Sequence, residues 1–300
     1  MKVVLFCGGF GTRMREYSDS IPKPMVNVGN RPILWHIMKY YAHYGHKDFI
    51  LCLGWQADVV KRYFLEYDEC ISNDFVLKGD GSSVELMHSD IHDWTITFVD
   101  TGTQSNIGER LKAVEPYLEG ETEFLANYTD GLCDMHLPDM LESFRRGGHV
   151  ASFVSVRPSQ SFHAIETDEA GRVSAIAPVA DAGFLMNGGF FAFRTEFFDY
   201  LGRGEEIVEE PFQRLIGEGR LGTYRYDGFW SCMDTFKEKQ ALDDLYAAGN
   251  PPWAVWQQRR PVAASGRLAV KPPPHDPALS EAAGVGRAVR GRLEAKEPAG

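Results

Sequence analysis

Hydrophobic and polar positions alternate in two different ways along the first 150 residues. Short apolar runs typical of buried strands occur at residues 3–7, 48–54, 95–100 and 124–128. Between them, apolar residues recur three or four positions apart, which predicts helices beginning near Ile33, Val59 and Ile107. Strands separated by helices imply right-handed crossovers and a mostly parallel sheet. We therefore expect an α/β fold, Rossmann-like, with helices flanking the sheet.

Strand-like segments follow one another more closely after residue 150. Strand-like segments occur at residues 150–156, 164–167, 173–176, 189–193 and 223–226. Helical spacing returns at residues 210–218 and 235–248. This predicts that the sheet continues, with a smaller antiparallel ribbon beside it. Ligands of parallel sheets bind beyond the carboxyl ends of the strands, so residues that follow strands are the first candidates for chemistry.

The composition changes after residue 256. Residues 259–300 contain six prolines, no aromatic residue, and eight basic against four acidic residues. Such a segment buries too little apolar surface to order itself. We expect one folded domain over residues 1–256 and a disordered Pro/Ala/Gly/Arg-rich tail over residues 257–300.

The net charge limits which binding partners are expected, and the cysteines indicate the cellular compartment. A net charge of −11 argues against a nucleic-acid or anionic-membrane surface. The sequence lacks a signal-peptide pattern and an apolar run of about 18 residues. Its five scattered cysteines form no CxxC pair, which is typical of reduced thiols in a cytoplasmic protein. The nine histidines show no zinc spacing.

The first strand leads into a glycine-rich segment with basic residues. Glycine lets successive backbone N–H groups converge on an anion, and Arg13 and Lys23 can add positive charge along a phosphate chain. The spacing fits neither the P-loop nor the dinucleotide fingerprint, and a simple tight turn is the alternative. The segment reads Gly8-Gly9-Phe10-Gly11-Thr12-Arg13, followed by Pro22-Lys23-Pro24-Met25.

This segment resembles the signature of the sugar-phosphate nucleotidyltransferase family. Later segments most resemble its glucose-1-phosphate cytidylyltransferases, and the resemblance extends from residue 1 to about residue 256. It implies a nucleotide-diphospho-sugar transferase fold and Mg²⁺-dependent transfer of CMP from CTP to a phosphorylated acceptor. Glucose 1-phosphate is the default acceptor, which gives CDP-glucose and pyrophosphate.

The resemblance also assigns roles within the glycine-rich segment. Arg13 and Lys23 would be the catalytic cations at the reacting phosphorus and the leaving group. The triphosphate would be cradled by Gly8, Gly9, Gly11 and Thr12.

Two aspartates are the candidate metal ligands. Asp130 follows the strand at residues 124–128 and precedes Gly131, which by itself is equally typical of an Asx turn. Asp234 lies just before a predicted helix, where an N-cap is the commoner role. The resemblance assigns Mg²⁺ binding to both. The family has a metal-binding aspartate at the position of Asp130, and the segment from Gly228 to Thr235, which contains Asp234, matches the family at six positions.

Further segments resemble those that bind the base and the sugar. Thr101, Gly102 and Arg110 are implied to bind the nucleotide, although an Arg110–Lys112 pair alone predicts a solvated helix face. The implied substrate-binding residues are Asn187, Gly188 and Trp230. A turn at a strand entry is the alternative for Asn187, and a core position is the alternative for Trp230.

One segment departs from the family pattern. Cytidylyltransferases of this group carry a Glu-Lys-Pro segment whose lysine holds the sugar phosphate, whereas residues 174–179 contain no lysine. A lost charge-assisted contact to a phosphate must be replaced, and Arg13, Arg157 and His163 are the candidates. His163 is also a substrate-binding candidate by its position, with a structural histidine as the alternative.

This departure keeps other functions open. The enzyme could use a different phosphate or phosphonate acceptor, or could be a thymidylyl- or uridylyltransferase. A non-catalytic nucleotide sensor is the rival from another class. The resemblance further implies a homo-oligomer, either a trimer or a hexamer.

Overall fold

The computed structural model describes residues 1–9, 21–79, 83–158 and 162–257. The candidate residues Gly11, Thr12 and Arg13 lie outside this set, as does the predicted tail from residue 258 onward. Within the described part of the chain, no helix is both long and apolar enough to cross a membrane.

The helices and strands alternate over the first half of the chain. The strands are β1 (Val3–Phe6), β2 (Asn27–Val28), β3 (Arg31–Pro32), β4 (Asp48–Leu53), β5 (Phe75–Lys78), β6 (Ser83–Leu86), β7 (Thr95–Asp100), β8 (Glu123–Tyr128), β9 (Gly131–Cys133), β10 (Ala151–Val156), β11 (His163–Thr167), β12 (Val173–Pro178), β13 (Met186–Asn187), β14 (Phe191–Arg194), β15 (Leu221–Tyr226) and β16 (Trp230–Cys232). The helices are α1 (Ile33–His43), α2 (Ala57–Leu65), α3 (Ile107–Val114), α4 (Leu137–Gly147), α5 (Glu210–Gly217) and α6 (Phe236–Ala247), and short 3₁₀ helices include Lys23–Met25.

The central sheet contains eight strands and is mostly parallel. Its order is β13-β10-β14-β8-β1-β4-β7, and β15 pairs with β10. Strands β8, β1, β4 and β7 run parallel, β14 is antiparallel to β8, and β10 and β15 resume the parallel direction. The predicted sheet is confirmed, and the carboxyl ends of β1, β4, β8, β10 and β15 share one edge.

Alternation along β1 divides the core into two layers. Val3 and Leu5 face one cluster, built around α1, while Val4 and Phe6 face another, which includes Leu111 of α3. A strand with both faces buried reads as a continuous apolar run, which explains why the sequence revealed β1 and β4. Helices therefore cover both faces and leave the strand ends for the site.

Several smaller elements were not predicted. Helix α4 has buried residues at helical spacing, Leu137, Met140, Leu141 and Phe144, but the sequence analysis assigned no element there. Hairpin β5–β6 has exposed side chains along its length, so it carries little of the burial signal used to find strands. The predicted antiparallel ribbon is present as β11 paired with β12.

Candidate active site

Lys23 lies between the two candidate metal ligands. Its Nζ is 2.7 Å from Oδ2 of Asp130 and 2.5 Å from Oδ1 of Asp234. The lysine side chain is 16% exposed and the carboxylates are about twice as exposed, at 32% and 31%. Burial by itself would lower the pKa of the Lys23 ammonium, but the two carboxylates outweigh it and raise that pKa. A permanently charged ammonium thus sits beside two carboxylates that remain open to solvent.

The local sequence fixes the position of Lys23. Pro22 has an extended conformation (φ −67°, ψ 144°) and precedes the 3₁₀ turn Lys23–Met25. Pro24 is locked near the φ that this turn requires, and Pro24 and Met25 are buried. The two prolines and the buried Met25 therefore anchor the turn, and Lys23 projects from a restrained backbone.

A short antiparallel pair of strands brings Asp130 and Asp234 together. Strand β9 follows Asp130 directly, and it pairs with β16 so that Gly131 lies opposite Cys232. The N–H of Met233 donates a 2.8 Å hydrogen bond to the carbonyl of Asp130, which extends the pairing beyond the strands. The two aspartates consequently emerge from neighbouring points of one ladder.

The start of α6 holds the backbone of Asp234. Thr235 is the N-cap of this helix, with a capping box to Glu238. The N–H groups of Asp234 and Thr235 both donate 2.9 Å hydrogen bonds to Oε2 of Glu238. Asp234 therefore precedes the cap and is not the N-cap that the sequence alone favoured. Glu238 was not predicted from the sequence, although Thr235 and Glu238 have the Thr-x-x-Glu spacing of a capping box.

Gly8 lies against a buried arginine. Arg110 is 1% exposed, and its Nη1 donates to the carbonyl of Leu53 at 3.2 Å and to Oγ1 of Thr101 at 2.8 Å. A Cβ at Gly8 would come within 2.0 Å of that Nη1, which explains why glycine is required there. The solvated-face interpretation of Arg110 is wrong. Its guanidinium joins the ends of β4 and β7 behind the glycine segment.

The other proposed nucleotide-binding residues sit at the same strand ends. Thr101 is buried, its N–H bonded to the carbonyl of Leu53, while Gly102 adopts a positive φ of 91°. Gly9, with a φ of 144°, is exposed and has nothing within 4 Å of a hypothetical Cβ. The sequence predicted that the glycine segment and the Thr101–Gly102 turn lie at one edge of the sheet. The contacts of Arg110 with Gly8 and Thr101 agree with this prediction.

Asn187 and Trp230 meet at the turn that connects β13 to β14. Indole Nε1 of Trp230 donates a 2.8 Å hydrogen bond to the carbonyl of Gly188. Oδ1 of Asn187 accepts the N–H of Gly189 at 2.9 Å, and the Asn187 side chain is exposed. Phe190, next in the chain, is buried with a positive φ of 51°, so packing holds this turn in a strained conformation. Trp230 links the turn to the strand that leads to Asp234.

Two candidates for the acceptor phosphate, His163 and Arg157, lie on different sheets, while Arg13 is outside the described residues. His163 begins the exposed strand β11, opposite Pro178, in the two-stranded ribbon. Arg172 pairs with Asp168 at 2.8 Å within the same ribbon. The ribbon is a sheet of its own, apart from the eight central strands.

Arg157, in contrast, follows the end of β10 at the main sheet. Its Nε is 2.9 Å from Oδ1 of Asp227, and Nε of Arg225 is 3.4 Å from Oδ2 of the same carboxylate. Because β10 and β15 run in register, two guanidinium groups share one acid at the active edge. The sequence analysis missed Arg225, since only the strand pairing brings it beside Arg157.

The carboxylate pair fits a magnesium ion. In the described part of the chain, no three His, Cys, Asp or Glu side chains cluster as a complete metal cage. Mg²⁺ usually takes one or two carboxylates and completes its shell with water and substrate phosphates. Asp130 and Asp234, gathered around one ammonium and part exposed, offer such a donor set.

Comparison with known proteins decides the family. A family model described as nucleotidyl transferase matches residues 2–237. The chain belongs to the nucleotidyl transferase family. This nucleotidyl transferase is 36% identical over 260 residues to the glucose-1-phosphate cytidylyltransferase of Salmonella typhi, covering 86% of this chain and 100% of that one. It is also 36% identical over 258 residues to a probable glucose-1-phosphate cytidylyltransferase of Bacillus subtilis, covering 85% of this chain and 100% of the relative.

Solved structures agree on the fold. HddC from Yersinia pseudotuberculosis superposes on this nucleotidyl transferase with a TM-score of 0.60 at 17% identity, covering 82% of this chain and 99% of that one. A UDP-glucose pyrophosphorylase complexed with UDP-glucose gives a TM-score of 0.60 at 15% identity, covering 83% and 98%. The predicted nucleotidyltransferase type of α/β fold is thus confirmed.

Proposed function

We propose that this enzyme transfers CMP from CTP to glucose 1-phosphate, which yields CDP-glucose and pyrophosphate. The observation that carries the proposal is the position of Lys23 between Asp130 and Asp234 at the sheet edge. It occurs in a chain that matches glucose-1-phosphate cytidylyltransferases over their full length.

The reaction requires positioning and charge more than covalent chemistry. A phosphate oxygen of the acceptor attacks the α-phosphorus of CTP, the bond from that phosphorus to the β-phosphate bridging oxygen breaks, and pyrophosphate leaves with the electron pair. The Lys23 ammonium, held by a restrained turn, stabilises the negative charge that develops on the α-phosphate oxygens. Arg13 is assigned to the leaving group from the sequence.

The remaining roles are proposed from the resemblance to the family. Gly8, Gly9, Gly11 and Thr12 are assigned to the triphosphate, and Thr101 and Gly102 to the base. Arg110 supports these segments from within, and Asn187, Gly188 and Trp230 are assigned to the sugar. Asp130 and Asp234 would hold Mg²⁺, which neutralises triphosphate charge when bound.

The acceptor phosphate needs a cation in a chain without the family lysine. Arg157 and Arg225 supply two guanidinium groups against one carboxylate, so the group has a surplus of positive charge. Both lie at the end of strands adjoining the Asn187 turn, since Ser155 pairs with Asn187 on one side and with Arg225 on the other. We assign the acceptor phosphate to this pair, with Arg157 as the first contact.

The substrate assignment is tested by pyrophosphate release. CTP, dTTP, UTP, ATP and GTP are each combined with glucose 1-phosphate and other phosphate or phosphonate acceptors. Turnover with CTP and glucose 1-phosphate is expected, whereas turnover with dTTP or UTP alone contradicts the base assignment. Calorimetric binding of CTP and Mg²⁺ without pyrophosphate release for any acceptor would support the nucleotide sensor.

We also propose a cytoplasmic homo-oligomer, a trimer or hexamer by resemblance. Exposed apolar side chains on two hairpins support association, notably Leu77 of β5 and Ile176 of β12, which are 58% and 64% exposed. Among the described residues, all five cysteines are free thiols, which fits a reducing compartment. Sedimentation analysis of the wild type and of Ile176→Glu tests the assembly.

A further inference from the structure

A cavity lies beside the first turns of helix α1. Its volume is about 420 Å³, within the range of small-molecule sites. It is walled by the β2–β3 turn, the first turns of α1, the segment after β6 and residues 251–257. The residues that line it include none of the candidate active-site residues in the described part of the chain.

The charges in its wall balance one another. Nζ of Lys39 is 3.2 Å from Oδ1 of Asp90, whose other oxygen accepts hydrogen bonds from Ser72 and, at 2.9 Å, from the hydroxyl of Tyr67. Burial lowers the pKa of His36, which also lines the cavity, to about 4, so its imidazole is neutral at physiological pH. A wall of paired charges has little net attraction for an anion.

Arg31, the cation next to the cavity, already has hydrogen-bond partners in the protein. Arg31 is 1% exposed and donates to the carbonyl of Asp68 at 2.7 Å and to Oγ of Ser72 at 2.6 Å. Its guanidinium does not line the cavity, but it lies 3.7 Å from Asp90 and adds a second positive charge behind the wall. The carboxylate of Glu69, which accepts the N–H of Asp90, adds a second negative charge, so the local charges still cancel. The ligand chemistry that fits is therefore neutral and polar.

The remaining lining combines indole rings with amide and hydroxyl groups. Trp35 and Trp256 pack edge to face with ring centroids 5.8 Å apart, and both line the cavity. Asn73 and Gln257 contribute amides beside the Lys39–Asp90 pair. Ring hydroxyls donate and accept at once, which suits such a mixture, while the C–H face of a sugar packs on an aromatic ring.

We propose that this cavity binds a neutral hexose ring. The ring would lie against Trp256, with its hydroxyls bonded to Lys39, Asp90 and the amides of Asn73 and Gln257. The wall is preformed, because the hydroxyl of Tyr246 donates a 2.6 Å hydrogen bond to Oδ1 of Asn30 across it. When a site is already ordered, little binding free energy is lost in immobilising its side chains on ligand binding.

The test is a glucose titration of the full-length protein followed by the ¹H–¹⁵N indole signals of its tryptophans. Saturable shifts of the Trp35 and Trp256 signals support the proposal, and Trp256→Phe assigns the second signal. The absence of a saturable shift at these two signals, or a response at Trp230 alone, overturns it. Glucose 1-phosphate should bind no more tightly than glucose, as measured by the dissociation constant from the Trp256 signal. Markedly tighter binding there would indicate an anion site and overturn the assignment of a neutral ligand.

Two variants locate the contacts. Lys39→Met should weaken glucose binding about tenfold, the loss expected for one charge-assisted hydrogen bond. Lys47→Met is the matched control, because it also breaks a lysine–aspartate pair, with Asp93, but outside the cavity. Gln257→Ala, at the exposed rim, tests the same site should Lys39→Met fail to fold. Unchanged affinity in both lining variants contradicts the proposal.

Discussion

Oε2 of Glu238 accepts the backbone N–H of Asp234 at 2.9 Å. The same oxygen accepts the N–H of Thr235, the first residue of the capping box of α6. One carboxylate therefore both starts the helix and orients the residue proposed to bind Mg²⁺. Glu238 is a positioning residue, since it acts on Asp234 through the backbone.

Replacing Glu238 by alanine should raise the Mg²⁺ concentration for half-maximal activity about tenfold, the lower end of the effect of losing an outer partner of a metal ligand. It should also cost about 1 kcal/mol of stability through the lost cap. Glu238→Gln keeps an accepting oxygen and should recover most of the Mg²⁺ dependence. Glu109→Ala, which breaks the equivalent capping box of α3, is the control that should lose stability without changing the Mg²⁺ requirement.

Lys23→Ala should lower kcat/KM by about 10²–10³-fold, the range for removing one group that stabilises a transition-state charge. Steady-state kinetics of both enzymes at pH 7 measure the loss, and a thermal melt of each shows that the variant is folded. A fully active Lys23→Ala enzyme would remove Lys23 from the mechanism.

Arg110→Ala should destabilise the fold by about 3 kcal/mol, because it leaves a cavity and removes two buried hydrogen bonds from the guanidinium, to the Leu53 carbonyl and the Thr101 hydroxyl. Lys112→Ala, which breaks the exposed pair with Glu115, should change stability by less than about 0.5 kcal/mol. Urea denaturation compares the two. If Arg110→Ala melts like the wild type yet loses CTP affinity, the arginine contacts the nucleotide directly.

His36 links stability to pH. Burial lowers its pKa to about 4, while in the unfolded chain it stays near 6.5, so the unfolded state gains the proton first as pH falls. Its contribution is fully present above pH 6.5 and is lost as pH falls towards 4, by about 3 kcal/mol in total. His46, with a pKa of about 4 through partial burial, adds to the same window. His36→Gln should flatten the fall in urea midpoint between pH 7 and 5, and an unchanged slope would contradict this assignment.

Arg157→Ala should raise KM for glucose 1-phosphate about tenfold and leave KM for CTP within twofold, since one charge-assisted contact to the acceptor is lost. Arg172→Ala removes a similar exposed arginine–aspartate pair from the ribbon and should leave both constants unchanged. Equal effects of the two substitutions would place the acceptor phosphate elsewhere.

Burial made several elements predictable from the sequence, although helix α4, which also buries residues at helical spacing, was missed. Strands β1 and β4 were recognisable because both of their faces are buried and apolar, and Asp130 was placed at the end of β8 for the same reason. Strand β7, at the edge of the sheet, is only partly buried. Exposed hairpins such as β5–β6 lack that signal. Arg157 and Arg225 meet at Asp227 only because β10 and β15 are neighbouring strands. No local sequence pattern reveals which strands are neighbours.

Arg110 illustrates a different limit. Its charge and its position on a helix favour a solvated side chain. The local pattern cannot reveal that its guanidinium donates to the carbonyl of Leu53 and the hydroxyl of Thr101. Glu238, by comparison, was identifiable from Thr-x-x-Glu spacing alone. Local motifs were readable where their partners are close in sequence.

The ladder between β9 and β16 has a consequence for how this protein can vary. It joins Asp130 to Asp234 through main-chain hydrogen bonds, so their separation does not depend on which side chains occupy the two strands. Ser231 is only partly buried and can therefore vary while the acidic pair keeps its spacing, whereas Leu132, opposite it, is held in the core. The spacing of the two candidate metal ligands is in this sense a property of the backbone.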